Sequence, residues 1–157
     1  MRLTAFSDYA LRVLMYARAS GDRLVTIEET AKTYGISRAH LMKVVNILTR
    51  AGYIKAVRGR SGGFTLAMKP EDINLGAVVR ATEVDFALVE CFAGGNKCVI
   101  TNHCRLPNVL NEALRAFVGV LDTYSLADIP LAIRDFSLPG DAVRDRRGPE
   151  LPAARGP

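Results

Sequence analysis

The sequence predicts a mainly α-helical protein with one small β-hairpin and a long helix in its second half. Three observations carry that expectation. Apolar residues recur at the 3.6-residue helical period in several separate segments; a single extended, glycine-flanked stretch interrupts them; and eight Lys or Arg fall between Thr30 and Pro70 without one Asp or Glu. At 157 residues the chain has room for one core-bearing domain plus an assembly element. No apolar run approaches the ~18 residues of a membrane span. The opening "MRLTAFSDYALRVLMYARAS" is interrupted by Asp8 and Arg12 and lacks a clean cleavage site, so a mature, cytoplasmic protein is expected.

In the first helix, Phe6, Tyr9, Ala10, Val13, Leu14 and Ala17 fall on one apolar face. Almost opposite run Asp8, Leu11 and Met15, a second strip headed by a carboxylate. Such a helix needs two neighbours. Thr26 and Glu29 make a capping box for a second helix with Ile27, Ala31 and Tyr34 inward, and Gly35 ends it. Ser37 is placed to cap a third helix, whose Leu41, Val44, Val45 and Leu48 face the core while Ala39, Lys43, Asn46 and Arg50 face away.

"GYIKAVRGRSGGFTLA" then reads as a hairpin, with Tyr53 to Val57 and Phe64 to Ala67 flanking a glycine-rich, arginine-bearing tip. Two short helices joined at a Gly-Ile turn and followed by a basic hairpin match a winged helix-turn-helix. The partner such a face expects is double-stranded DNA. A helix fits the major groove, where Lys43 reaches guanine acceptors, Ala39 touches a thymine methyl, and the Ser37 cap meets phosphate. Arg38 and His40 flank these on the same helix; Arg58, Arg60, Ser61 and Gly62 at the wing are candidates for the minor groove.

Leu75, Val78, Val79 and Thr82 predict a fourth helix that completes the DNA-binding unit, expected over residues 1–84. Residues 85–105 carry all three cysteines. From Pro107, Leu110, Ala113, Leu114, Phe117, Leu121 and Tyr124 form one stripe of a long helix, and Val109, Ala113, Ala116 and Val120 form another. A helix apolar all round is most easily buried against a second copy, so a homodimer joined over residues 106–138 is expected, suited to paired half-sites. The last stretch, 139–157, is rich in Pro, Gly and charge and is expected to be disordered.

Three thiols within fourteen residues cannot all pair, which suits a reducing compartment. Thiolates select zinc, copper(I) or iron-sulfur clusters. The C-x6-C-x5-C spacing is wider than the tight pairs of structural zinc sites, and Gly94 and Gly95 let the loop spread around a larger body. Three unrelated small hydrophobes, or a redox pair plus a spare, remain open on spacing alone. A thiol enzyme using one cysteine with His103 as base is a further alternative, though no oxyanion signature accompanies it.

"MRLTAFSDYALRVL", "VRGRSGGFTLA", "VVRATE", the three cysteines and "AFVGVLDTYSLADI" together resemble the Rrf-two family of bacterial winged-helix regulators, over roughly residues 1 to 135. The resemblance implies an iron-sulfur cluster held by Cys91, Cys98 and Cys104 at a dimer interface. In some nitric-oxide-sensing repressors of that family a first-helix aspartate from the other subunit ligates a four-iron cluster, and Asp8 matches that position; the resemblance then implies nitric oxide as the effector and derepression of detoxification genes. In two-iron relatives a histidine three residues past the last cysteine is the fourth ligand, but that place is Pro107 here. His103 sits one residue before Cys104. A 4Fe-4S cluster with Asp8 is therefore expected, with a 2Fe-2S sensor of redox state or cluster supply as the alternative.

Overall fold

The computed structural model describes residues 2–136. Helix α1, Ala5–Ala19, starts at Thr4, whose hydroxyl accepts from the Ser7 backbone N–H at 3.3 Å. Ala10, Val13, Leu14 and Ala17 are fully buried, as their spacing requires, and Leu11 and Met15 pack half-buried against the same core. Ser7 and Tyr16 are buried too, outside either stripe. Each has a polar partner: the Ser7 and Thr82 hydroxyls lie 2.8 Å apart, and the Tyr16 hydroxyl donates to Glu29 Oε1 at 2.8 Å.

Helix α2, Ile27–Tyr34, has the Thr26–Glu29 capping box and closes at Gly35 with φ of +64°. Its fully buried residue is Thr30, while Ile27, Ala31 and Tyr34 sit half-buried at the edge of the core. Helix α3, Arg38–Arg50, is capped by Ser37 and buries the whole Leu41, Val44, Val45, Leu48 stripe. The wing follows as β1, Ile54–Val57, antiparallel to β2, Gly63–Leu66, with Ile54 opposite Leu66 and Val57 opposite Gly63. Val25 pairs with Phe64 and so ties the wing to the chain before α2.

Helix α4, Leu75–Thr82, is capped by Asn74 and packs on α1. A loop with one 3-10 turn at Glu90–Phe92 leads to α5, Leu106–Asp122, which packs on α4. Two further 3-10 turns, Leu126–Asp128 and Ile133–Phe136, bring the chain back to the first two helices. Leu126 is buried and its N–H donates to the Ile73 carbonyl at 2.8 Å. Arg18 donates to the Ala127 and Ile129 carbonyls, and the Phe136 ring stands edge-on to Tyr16 and Tyr34, at 5.1 and 5.9 Å between centroids. The expectation for 139–157 falls outside the described residues.

Not one residue of α5 is buried. Leu110, Leu114, Phe117 and Leu121 are half-buried, whereas Leu106, Val109 and Val120 are more than half exposed. Among the described residues no helix is long and apolar enough to cross a membrane.

Two outcomes follow. Phe64 is 1% exposed and spans wing, α1 and the chain before α2, so Phe64→Ala is expected to cost about 3–5 kcal/mol in urea unfolding. Arg23, then the Tyr16 hydroxyl and the Thr26 N–H, hold the Glu29 carboxyl below the usual carboxylate range. Its contribution is present above the unfolded carboxylate pKa and is lost as pH falls through the lower folded value. Glu29→Gln should flatten that part of the acid limb of a stability-pH curve.

Candidate nucleic-acid interface and thiol loop

The outward face of α3 presents Ser37, Arg38, Ala39, His40 and Lys43, all exposed, together with Asn46 and Arg50. Ser37 accepts from the His40 N–H at 3.3 Å, so its cap fixes the start of the helix. Arg38 reaches Glu28 of α2 at 3.7 Å, an exposed pair that leaves the guanidinium free to change partner. The His40 ring lies 6.4 Å from that of Tyr9 on α1. Sequence reasoning passed over Met42, 52% exposed on this face, because a large apolar side chain carries no signal of outward direction by itself.

At the wing tip Arg58, Arg60 and Ser61 are exposed and Gly62 is half-buried. The glycines there have a cause nearer than DNA. Gly62 donates to the Gly59 carbonyl at 3.0 Å, and a Cβ on it would strike the Val57 carbonyl oxygen. The tip folds over its own backbone, and this holds the two arginines outward.

The three cysteines are free thiols: Cys91 and Cys104 are half-buried and Cys98 is exposed. Cys91 lines a shallow hollow with Phe92, Pro107 and Asn111, where the loop meets the start of α5. Around Cys98 the backbone is held by side chains. Its N–H donates to Asn96 Oδ1 at 2.9 Å and its carbonyl accepts from Thr101 Oγ1 at 2.7 Å. Cys104 donates its N–H to the Ile100 carbonyl at 2.9 Å, two residues before α5. Gly94 and Gly95 have open space where a Cβ would be, and Gly95 has φ of +86°. As a donor set, three accessible soft thiols on a yielding loop fit a thiophilic iron group. Among the described residues no three His, Cys, Asp or Glu side chains converge as a metal site, so the loop is not gathered in advance.

Asp8 is part-exposed on α1 and ion-paired within its own helix: Arg12 donates from Nε to Oδ1 at 2.9 Å, and its Nη2 lies 2.9 Å from Oδ2. Asp8 holds the Arg12 guanidinium more firmly in its charged form than is usual. Arg12 in turn lies over the Tyr34 ring, 5.6 Å from its centroid, and the Tyr34 hydroxyl donates to the Arg12 carbonyl at 3.0 Å. The hollow beside Asp8 is lined by Arg2, Leu3, Ala5, Tyr9 and Leu11, without a thiol.

Helices α1 to α4 with the antiparallel hairpin define a winged helix-turn-helix protein, extended by a thiol loop and a long helix with unfilled faces. The chain belongs to the Rrf2 family, whose description, an iron-dependent transcriptional regulator, matches residues 3–130. It is 53% identical over 131 residues to the HTH-type transcriptional regulator NsrR of Bacillus subtilis (strain 168), covering 82% of this chain and 90% of that protein. To the regulator of that name from Geobacillus kaustophilus (strain HTA426) it is 47% identical over 150 residues, 94% of this chain and all of the other. Among solved structures it is similar to T. potens IscR, with a TM-score of 0.65 and 25% identity over 82% of this chain and 85% of that one. The oxidised form of Staphylococcus aureus CymR shares the fold, with a TM-score of 0.64 and 24% identity over 82% and 95%. It is a DNA-binding transcriptional regulator.

If the wing arginines face phosphate, Arg58→Ala combined with Arg60→Ala lowers the slope of log affinity against log salt by about 2, at about 0.9 for each phosphate no longer neutralised. Fluorescence anisotropy on a labelled duplex over a salt series measures it. An unchanged slope removes both residues from the interface.

Proposed function

We propose that this chain is a homodimeric repressor whose DNA affinity depends on an iron-sulfur cluster and which senses nitric oxide, releasing promoters of nitric-oxide detoxification genes. The observation that carries the reading is a shared incompleteness. Helix α5 buries none of its residues within its own chain, and the three thiols on the loop that leads into it are free, with no three metal-ligating side chains brought together among the described residues. A second copy answers both needs at once. The similarity to proteins named NsrR supports the effector.

Cys91, Cys98 and Cys104 would hold the cluster, and Asp8 of the other subunit would complete it. When bound, such a group supplies iron open to attack by nitric oxide, most readily where a hard carboxylate replaces a soft thiolate. Everything else is the work of side chains. Asp8 holds Arg12 with both carboxylate oxygens, and turning either oxygen to the site across the interface gives up at least one of those bonds. Once drawn away it leaves Arg12 with Tyr34 alone, and Tyr34 is the last residue of α2, directly before the turn into α3. A return of Asp8 to Arg12 thus changes the support of the recognition helix. DNA affinity follows only to the extent that the two arrangements differ in free energy.

Anaerobic purification with iron and sulfide counts, followed by titration with nitric oxide while absorbance and duplex binding are both recorded, tests the reading. Four irons per chain and parallel loss of absorbance and binding are expected. Replacing all three cysteines by serine should give colourless protein without high-affinity binding, and Asp8→Ala should uncouple absorbance from binding while His103→Ala does not. Two irons per chain would favour the alternative sensor of redox state or cluster supply. Metal-poor protein that binds DNA at full affinity would overturn the proposal.

A further inference from the structure

The attachment of α5 to the winged domain has one fastened end and one loose end. Among the described residues, every hydrogen bond and ion pair joining α5 to that domain involves Asp122, the last residue of the helix. Arg80 of α4 grips its carboxylate with both terminal nitrogens, at 2.6 Å to Oδ1 and 3.1 Å to Oδ2. Asn74, the cap of α4, accepts from the Ala77 N–H at 2.9 Å and donates with its other side-chain atom to the Asp122 carbonyl at 2.7 Å. Just past the helix, the Leu75 N–H donates to the Tyr124 carbonyl at 3.0 Å.

Gly76 makes the seat. A Cβ there would collide with the Asp122 carboxylate oxygen and come within 2.9 Å of its Cγ and 3.0 Å of its backbone nitrogen. Gly76 is buried in the second position of α4, with no left-handed backbone to call for glycine. Close approach is its remaining reason, since glycine weakens a helix. The other end of α5 has no such fastening. Leu106 and Val109 are exposed there. A rod of 17 residues is roughly 25 Å long, so a tilt of about 10° at Asp122 displaces the far end by about 4 Å.

In a dimer joined through α5, the angle between α5 and α4 sets how far apart the two recognition helices lie. We propose that Asp122 is a positioning residue: seated against Gly76 and gripped by Arg80, it fixes that angle and thereby selects the spacing of the two DNA half-sites. The inference rests on the dimeric, DNA-binding part of the function proposed above and is independent of cluster type and effector. Half-site spacing is a geometric property of the dimer and follows the helical repeat of DNA.

The test starts with the wild-type protein selecting sequences from a random duplex library. Affinities are then measured on the selected site with its half-site spacing altered from two base pairs shorter to two longer. Wild type should discriminate against altered spacing by roughly tenfold or more. Gly76→Ala and Asp122→Ala should each flatten the profile or move its optimum. Because methyl and carboxylate meet at one point, the double variant should behave like Asp122→Ala alone, and Asp122→Asn, which keeps the size but offers Arg80 one acceptor oxygen instead of two and no charge, should fall between wild type and Asp122→Ala. Dimer mass by sedimentation, melting temperature and affinity for a single half-site report on fold and groove contacts, and should stay close to wild type in Asp122→Ala. If Gly76→Ala does not fold, Asp122→Ala decides. A wild-type spacing profile in Asp122→Ala overturns the pivot. Selection of unpaired single sites by the wild type overturns instead the dimeric reading beneath it, and the pivot with it.

Discussion

Helix α1 packs against α3, α4 and the wing at once, and the rest of the molecule is arranged around that. One face is the core, from Ala10 to Ala17, and the other carries Leu11 and Met15. Its start is fastened to the end of α4: Glu83 accepts from the Thr4 N–H at 2.8 Å and from its hydroxyl at 3.2 Å, and the Ser7 and Thr82 hydroxyls meet in the interior. The Thr82 hydroxyl also bonds the Val78 carbonyl of its own helix, so the Ser7 contact ties α1 to a side chain already fixed on α4. Asp8 sits one turn inside that fastening. The thiol loop leaves α4 immediately after Glu83, so both halves of the proposed ligand set are anchored to the same joint.

The aromatic cluster extends this rigidity to the end of α2. Tyr16 of α1, Tyr34 of α2 and Phe136 of the returning C-terminal segment stand edge to face, the arrangement favoured by the ring quadrupoles. Burial drives the Tyr34 phenol well above its usual pKa, so at any physiological pH its hydroxyl remains a donor, and it donates to the Arg12 carbonyl. Arg12, the partner of Asp8, is thereby tied to Tyr34, the last residue of α2 before the turn into α3. By contrast α5 buries none of its residues. Leu106, Val109 and Val120 are exposed along it, as is Cys98 on the loop before it.

Much of the fold was legible. The α3 stripe and its Ser37 cap, the Thr26–Glu29 box and the wing all rest on period, spacing and turn chemistry within a dozen residues, and the structure places them as expected. The Asp8–Arg12 pair was legible as an i, i+4 neighbour on one helix. Tyr16 and Ser7 were not, since their burial is explained by Glu29 and Thr82, 13 and 75 residues away. Nor was the Arg80–Asp122 grip, 42 residues apart between two helices whose packing no local pattern encodes.

Sequence alone determined the identity and order of the helices, the outward basic face, the gathering of three thiols on one loop and the surplus apolar surface of α5. Each of these is a property of residues close enough along the chain to share a helix turn, a strand face or a loop. The tertiary structure decided which polar groups pair across the interior, that the Asp122 carboxylate seats against Gly76, and that, among the described residues, polar bonds join α5 to the winged domain at one end only. Those depend on distances between segments far apart in sequence, and such distances exist only once the whole core has closed.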